Sequence, residues 1–397
     1  MVITINTQLS LTFVLTILWA NIADAQVQLI NKDASALDVS ISTVYADNLN
    51  PTLVKDQNAI GVIFAPKGQL LAEGHASQFL VDYSASFERY KLRKDDVMLK
   101  SSEDFNDYRV KLLSRVFLAK AWHFDTQVQY LNQQQKFGTG ISQLRINVLQ
   151  SDQLKQLSGA VSLVYGSDTS SRFISLKIHG NEDSYQENND YSDLFNTSNR
   201  GAELNVVYRQ SAATSFLLRM SGQHEDYESD LREDSDVYRA MLGLGWRPSG
   251  KSILEVLVGR FWRESDSSSN DGLSWSINYS LEPTENWKVA LNSARYSDVS
   301  QSEFTTDSVI QDVHFNAQYN YSDQWRFGLA MHFENTEFNF ASNTTELDEK
   351  SASAYVSLIL KENRQIKLSA GKIDKFSSDN LIDYSQLEAR LTWQLEF

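Results

Sequence analysis

Along most of this chain, apolar and polar residues alternate with a period of two. Leu273, Trp275, Ile277, Tyr279 and Leu281 are separated by Ser274, Ser276, Asn278 and Ser280. Val313, Phe315, Ala317, Tyr319 and Tyr321 are separated by His314, Asn316, Gln318 and Asn320; Trp325, Phe327, Leu329, Met331 and Phe333 follow the same rule. Phe79, Val81, Tyr83, Ala85 and Phe87 repeat it early in the chain. Side chains of a strand point alternately to opposite faces, so each segment predicts a strand with one apolar and one polar face. Convincing stretches of helical period are absent, and the chain reads as all-β.

About eighteen such segments follow one another, starting near Val39, Ile60, Phe79, Tyr108, Phe124, Leu157, Phe173, Ala202, Phe216, Tyr238, Ile253, Leu273, Trp287, Val313, Trp325, Ala354, Ile366 and Tyr384. That leaves about 21 residues for each strand and its connection, where a transmembrane strand needs about 9–11. Short connections (119–123, 209–214, 247–251, 282–286, 322–324 and 361–365) alternate with long polar stretches (180–200, 225–236, 264–271, 297–307 and 334–350). A soluble sandwich has no reason to put every long connection at one end. An outer-membrane barrel does, with short periplasmic turns and long extracellular loops. Trp122, Trp246, Trp287 and Trp325 sit beside short turns and Trp262 and Trp275 flank one long loop, as in the aromatic girdles of such barrels.

The C-terminus carries the sharpest local pattern. Leu387, Ala389, Leu391, Trp393, Leu395 and Phe397 alternate with polar residues, and the sequence stops at the phenylalanine. This resembles the terminal strand recognised by the bacterial barrel assembly machinery, with Trp393, Leu395 and Phe397 as the signal. Residues 1–25 read as a signal peptide: a mostly apolar stretch over 9–20, too short to span a bilayer, precedes Ala23-Asp24-Ala25, a small-x-small cleavage pattern. The basic start usual for such leaders is missing, since no Lys or Arg precedes Lys32. Residues 26–397 then form an antiparallel up-and-down transmembrane β-barrel of the outer-membrane type. Two segments leave sixteen strands as the alternative: 141–156, which reads as strand or loop, and 253–262, where either face carries a charge unless the strand bulges near Gly259 or Arg260 turns to the membrane interface.

Composition narrows the picture. Apolar residues make up 42% of the chain, slightly under the globular norm of about 45–50%, which suits a barrel that needs apolar side chains on its outer face and keeps a wet lumen with no packed core. The formal charge of −15 argues against a nucleic-acid partner. With no cysteine there are no disulfides, thiol nucleophiles or iron–sulfur clusters. No cofactor is expected.

Candidate chemistry is sparse. There is no Gly-x-Ser-x-Gly and no His-Glu-x-x-His, and Gly243-x-Gly245 lies within a strand, so an enzyme is not expected. Alternation turns Arg219, Arg239, Asp312, His314, Arg326, His332, Glu334, Glu388 and Arg390 toward the lumen. Among them His314, His332 and Glu334 read as polar lining or as a proton relay. His224-Glu225-Asp226 reads as a solvated strand end or as an acid/base cluster. Seven carboxylates fall between Glu225 and Asp236, of which Asp226, Asp230 and Asp234 are weak candidates for Ca²⁺ without EF-hand spacing; the alternative is an acidic loop facing lipopolysaccharide and its divalent ions.

Three stretches resemble the porin-2 type of β-barrel porin found with exopolysaccharide synthesis and export: Val44-Tyr45-Ala46-Asp47-Asn48, Phe64-Ala65-Pro66-Lys67-Gly68, and Trp246-Arg247-Pro248-Ser249-Gly250 leading to Gly259-Arg260. In that family a tyrosine-rich strand ends in Asp-Asn, a Pro-Gly turn follows, and a Trp-x-Pro turn starts a strand ending in Gly-Arg. Lys67, inserted between Pro66 and Gly68, is a departure. The resemblance implies a passive conduit for a secreted polysaccharide, working with a polysaccharide-export lipoprotein. A general diffusion porin for small solutes and a surface adhesin or receptor using the acidic loops are the alternatives. Length counts against a plugged 22-strand transporter.

Overall fold

The computed structural model describes residues 36–52, 57–92, 102–167, 170–186, 189–266, 268–300, 305, 307–339, 344–361, 363–378 and 382–397; the leader segment and its cleavage pattern lie outside the described residues. Eighteen strands form: β1 (Ala36–Ala46), β2 (Ala59–Glu73), β3 (Ser77–Leu92), β4 (Ser102–Ala119), β5 (Trp122–Gln134), β6 (Gln153–Tyr165), β7 (Arg172–Tyr185), β8 (Thr197–Arg209), β9 (Thr214–Tyr227), β10 (Ser235–Ser249), β11 (Ser252–Ser265), β12 (Ser269–Leu281), β13 (Trp287–Val299), β14 (Asp307–Asn320), β15 (Trp325–Asn339), β16 (Thr344–Lys361), β17 (Arg364–Ser377) and β18 (Asp383–Glu396). Each pairs antiparallel with its chain neighbours, and β1 pairs with β18 from Asp38↔Glu396 to Ala46↔Glu388. The sheet therefore has no free edge, and the count is eighteen rather than sixteen. Closure is completed beyond the ladder, where the Phe397 N–H donates to the Leu37 carbonyl at 2.8 Å and the Leu37 N–H to the Phe397 carbonyl at 3.2 Å.

Period two fixes which side chains leave the barrel. Ile41, Val62, Leu112, Ile178, Leu242, Leu329 and Leu391 stand exposed on the outside as parts of one continuous belt. Water-facing surfaces rarely carry contiguous apolar area beyond a few hundred Å². A lipid-facing belt bounded by aromatic rings is the form a transmembrane barrel takes. Trp122, Trp246, Trp287, Trp325 and Trp393 project at the end with the short turns, Trp262 at the other.

Several polar stretches read as long loops turn out to be strand. The β11–β12 connection is only residues 266–268, β15 runs on to Asn339 and β16 begins at Thr344. Beyond the lipid belt the outer face of a strand meets water, so the hydrophobic alternation disappears while the backbone ladder continues. Residues 135–152 are a true loop between β5 and β6, which settles the unclear 141–156 segment at the loop end and starts β6 at Gln153.

One local alternative is decided and one reading is corrected. The β10–β11 ladder runs through Met241↔Gly259 without a shift, so there is no bulge there; Arg260 lies on the outer face and forms an ion pair with Asp271. Pro66 and Gly68 lie inside β2, paired with Val39 and Leu37, rather than in the turn that the family resemblance implies. At Gly243 the neighbouring strand comes so close that an added Cβ would lie 2.0 Å from the Val256 carbonyl oxygen. Only glycine permits that approach.

The expectation of a coreless lumen also fails. At the long-loop end Val44, Leu49, Ala59, Ile63, Tyr90, Phe105, Phe137 and Val148 form a buried apolar cluster, and Ile141, Tyr191 and Phe195 form another. Val44, Ile63, Tyr90 and Phe105 come from the inner faces of β1 to β4. Inward positions above the belt are thus apolar where a loop packs on them and polar where water remains.

Candidate functional site

The bore is the feature that could act on a solute, and its two ends differ. At the long-loop end, residues 135–152 fold inward instead of away from the barrel. Phe137 packs edge-on against Phe105 at 6.0 Å between ring centroids, and Phe105 in turn against Tyr90 at 5.9 Å. The loop is stitched to the β1–β2 connection: Asn50 Nδ2 donates to the Val148 carbonyl at 2.8 Å, and the Asn147 N–H to the Thr52 carbonyl at 2.7 Å. It reaches the wall at β17, where Lys375 Nζ donates to the Gly138 carbonyl at 3.1 Å and pairs with Glu349 at 3.2 Å. Lys136 pairs with Glu88 of β3 at 3.3 Å. The turn that allows this path uses Gly140 at φ +58°, with the Gln135 side chain where a Cβ would be.

Asp152 closes the loop. Its carboxylate accepts hydrogen bonds from Asn189 Nδ2 at 2.7 Å, Ser192 Oγ at 3.2 Å and Tyr191 Oη at 3.2 Å. Burial pushes its carboxyl above the usual carboxylate range, and these hydrogen bonds pull it back only in part.

Beside this loop the upper bore is filled by a buried polar network. Glu225 and Arg263 form an ion pair at 2.5 Å, each only 2% exposed, with Ser235 bonded to both. Arg263 Nε also donates to Ser297 Oγ.

Toward the short-turn end the bore opens. A cavity of about 630 Å³ lies against the inner faces of β1–β3 and β16–β18, and another of about 480 Å³ against β2–β7. Their walls carry Lys67 paired with Asp38 at 3.1 Å, Arg115 paired with Asp125 at 2.7 Å, and small side chains such as Ser40, Ser353 and Ser369.

The nine sequence candidates all lie on inward-facing positions, spread around the wall. Arg219 Nε donates to Asn205 at 2.9 Å and Arg326 Nε to Asn320 at 3.1 Å. Arg239 lies 5.6 Å from the Tyr296 ring centroid, and its buried Nε has no hydrogen-bond partner among the described residues. Glu388 receives Arg390 at 2.8 and 3.1 Å. His314 and His332, in register on β14 and β15, stack with parallel rings 4.1 Å apart. Asp312 lies 3.5 Å from His314; Glu334 at 3.8 Å and Glu349 at 4.0 Å flank His332.

Other candidates are taken apart by the same alternation. Glu225 points inward while His224 and Asp226 point outward, His224 to Asp236 at 3.0 Å, so the three do not form one cluster. Asp234 accepts the Tyr227 N–H at 2.9 Å as a turn cap. With Asp234 so used and Asp226 on the outer face, Asp226, Asp230 and Asp234 do not form a Ca²⁺ site; among the described residues no group of three or more His, Asp or Glu is placed to hold a metal. Trp393 and Leu395 face outward on β18, and Phe397 is exposed at its end. Sequence reasoning did not find Lys375, Asp152 or the inward course of 135–152. The one available signal was negative, the loss of alternation after Gln134 together with Gly138-Thr139-Gly140.

The closed ladder and the apolar belt together define an eighteen-strand transmembrane β-barrel of the outer-membrane type. No protein-family model matches this chain, so the likeness to the porin-2 type rests on the short motifs alone, and no curated protein matches it. Solved structures of similar shape include the outer membrane protein OpdK from Pseudomonas aeruginosa, 12% identical with a TM-score of 0.46 over 92% of this chain and 100% of that one. OccK7 (OpdD) of the same organism is 10% identical with a TM-score of 0.48, covering 91% and 99%. The FrpB iron transporter from Neisseria meningitidis is 10% identical with a TM-score of 0.48, covering 93% and 82%. Similarity at this level leaves the solute open.

Proposed function

We propose that this protein is an outer-membrane channel for small polar solutes, with a wide periplasmic vestibule and a constriction made by residues 135–152. The observation that carries the reading is the lipid-facing belt around a bore that is polar and open at one end and narrowed by an inward loop at the other. A polymer strand needs a continuous wide passage, and the packed Phe137 and Val148 region works against one. The exopolysaccharide conduit therefore rests on the short motifs, and the adhesin reading on the acidic loops. The channel reading carries its surroundings with it: outer-membrane lipids and lipopolysaccharide around the belt, and the barrel assembly machinery acting on Trp393, Leu395 and Phe397 after leader removal. A polysaccharide-export lipoprotein partner belongs only to the conduit reading.

The test is reconstitution of the full chain in planar bilayers and in liposomes. Stable conductance and swelling with monosaccharides, but not with long dextrans, are expected. A heat-modifiable barrel that conducts nothing would overturn the channel. Loss of secreted polymer on deletion, with small-solute uptake intact, would favour the conduit.

A further inference from the structure

The wall of the larger cavity holds an uneven set of charges. Lys367 and Arg390 both face the bore from neighbouring strands, Lys367 in register with Thr392 and Arg390 with Ser369. Inward positions related in this way are diagonal neighbours, with Cβ atoms at most about 7–8 Å apart. Arg390 is held by Glu388. Lys367 makes no ion pair among the described residues; its Nζ lies 4.2 Å from the centroid of the Tyr355 ring, which leans over Gly328. Two cations therefore share one carboxylate. Lys67 in the same cavity is neutralised by Asp38 and adds no net charge. The chain as a whole carries −15, so this local excess runs against the overall charge.

Like charges this close repel, and a second anion between them relieves the repulsion. The space is there, because the floor beneath is Ser353, Ser369 and Gly371. Thr392, Gln386 and Gln394 line the same cavity with hydroxyl and amide groups, which can meet the hydroxyls of a solute. We propose that this patch is a binding site for a small hydroxylated carboxylate of sugar-acid size, its carboxylate seated between Lys367 and Arg390. The site gives the solute class for the channel proposed above and rests on that reading.

The probe is sodium glucuronate, with glucose as the uncharged control, applied to the full chain in planar bilayers and in titration calorimetry of the detergent-solubilised barrel. Glucuronate is expected to bind and to reduce single-channel current, and glucose at the same concentration to do neither. Lys367→Gln and Arg390→Gln are each expected to weaken glucuronate binding at least tenfold, while Lys367→Arg keeps it. Lys350→Gln, on the outer face of β16 and away from the cavity, leaves it unchanged. Equal behaviour of glucuronate and glucose in a conducting channel overturns the site. So does glucuronate binding that survives Lys367→Gln in a correctly folded barrel, and should Arg390→Gln not fold, the lysine variant decides alone. A barrel that binds glucuronate in calorimetry yet conducts nothing overturns the channel and leaves the site.

Discussion

The two halves of the bore are built from the same strands, yet they hold different materials. Near the short turns the inner face carries ion pairs such as Arg115–Asp125 over small residues, and space remains between them. Near the long loops, inner positions of the same strands carry Val44, Ile63, Tyr90 and Phe105, and a loop packs on them. An inward position thus has no fixed chemistry. Where a segment of chain covers it, apolar contact replaces water; where nothing covers it, charged groups stay solvated and paired at low cost. Under the channel reading proposed above, the packed half sets how large a solute passes and the open half which solutes dwell.

The largest test of that division removes the loop. Replacing residues 136–151 by a short Gly-Ser linker is expected to raise single-channel conductance several-fold without loss of barrel assembly. Unchanged conductance would place the constriction elsewhere. Next comes the buried pair of the packed half. Glu225→Ala leaves Arg263 buried and uncompensated, at a cost of about 3–5 kcal/mol, read as a lower midpoint in urea unfolding from detergent. Arg115→Ala, in the open half, should cost at most about 1 kcal/mol because its carboxylate partner stays in water. Equal losses at the two sites would erase the distinction between the halves.

Smaller effects sharpen the picture of the loop. Lys375→Met removes the donor to the Gly138 carbonyl and is expected to increase current flicker while leaving mean conductance within about twofold, since the loop keeps its apolar contacts; each 1.4 kcal/mol would be worth a factor of ten. The smallest effect concerns pH. Burial raises the Asp152 carboxyl, so the folded loop favours its protonated form. The stabilisation from this group is complete below the ordinary carboxylate pKa and is lost as pH rises through the raised value. Flicker should therefore grow from acidic toward neutral pH, and Asp152→Asn should flatten that dependence.

Much of this was legible in the residues because a strand's period is two. The alternation at 313–321 and 325–333 assigned His314, Arg326 and His332 to one face without any tertiary information, and the lipid belt enforces that assignment wherever the membrane is present. Above the belt the enforcement ends. At 334–350 the outer face meets water and the inner face mixes polar groups with the buried Phe338 and Leu347, so the pattern vanished there while the β15–β16 ladder went on to Asn339↔Thr344. Arg260 was ambiguous for a related reason: at the rim, an outward arginine paired with Asp271 is as acceptable as an inward one.

What the sequence determined by itself is the all-β class, the face that each strand turns to the lipid and the apolar pattern of the terminal strand, all of which follow from local period and from the demand that lipid meet apolar side chains. Only the tertiary structure decided the shape of the bore. The path of residues 135–152 depends on contacts with Thr52, Phe105, Asn189 and Lys375, far apart in the chain, and no local pattern encodes where a loop finds them. The same holds for Lys367 and Arg390, whose proximity is a consequence of the β17–β18 register. Local physics specified a barrel, and long-range packing narrowed its bore at one end.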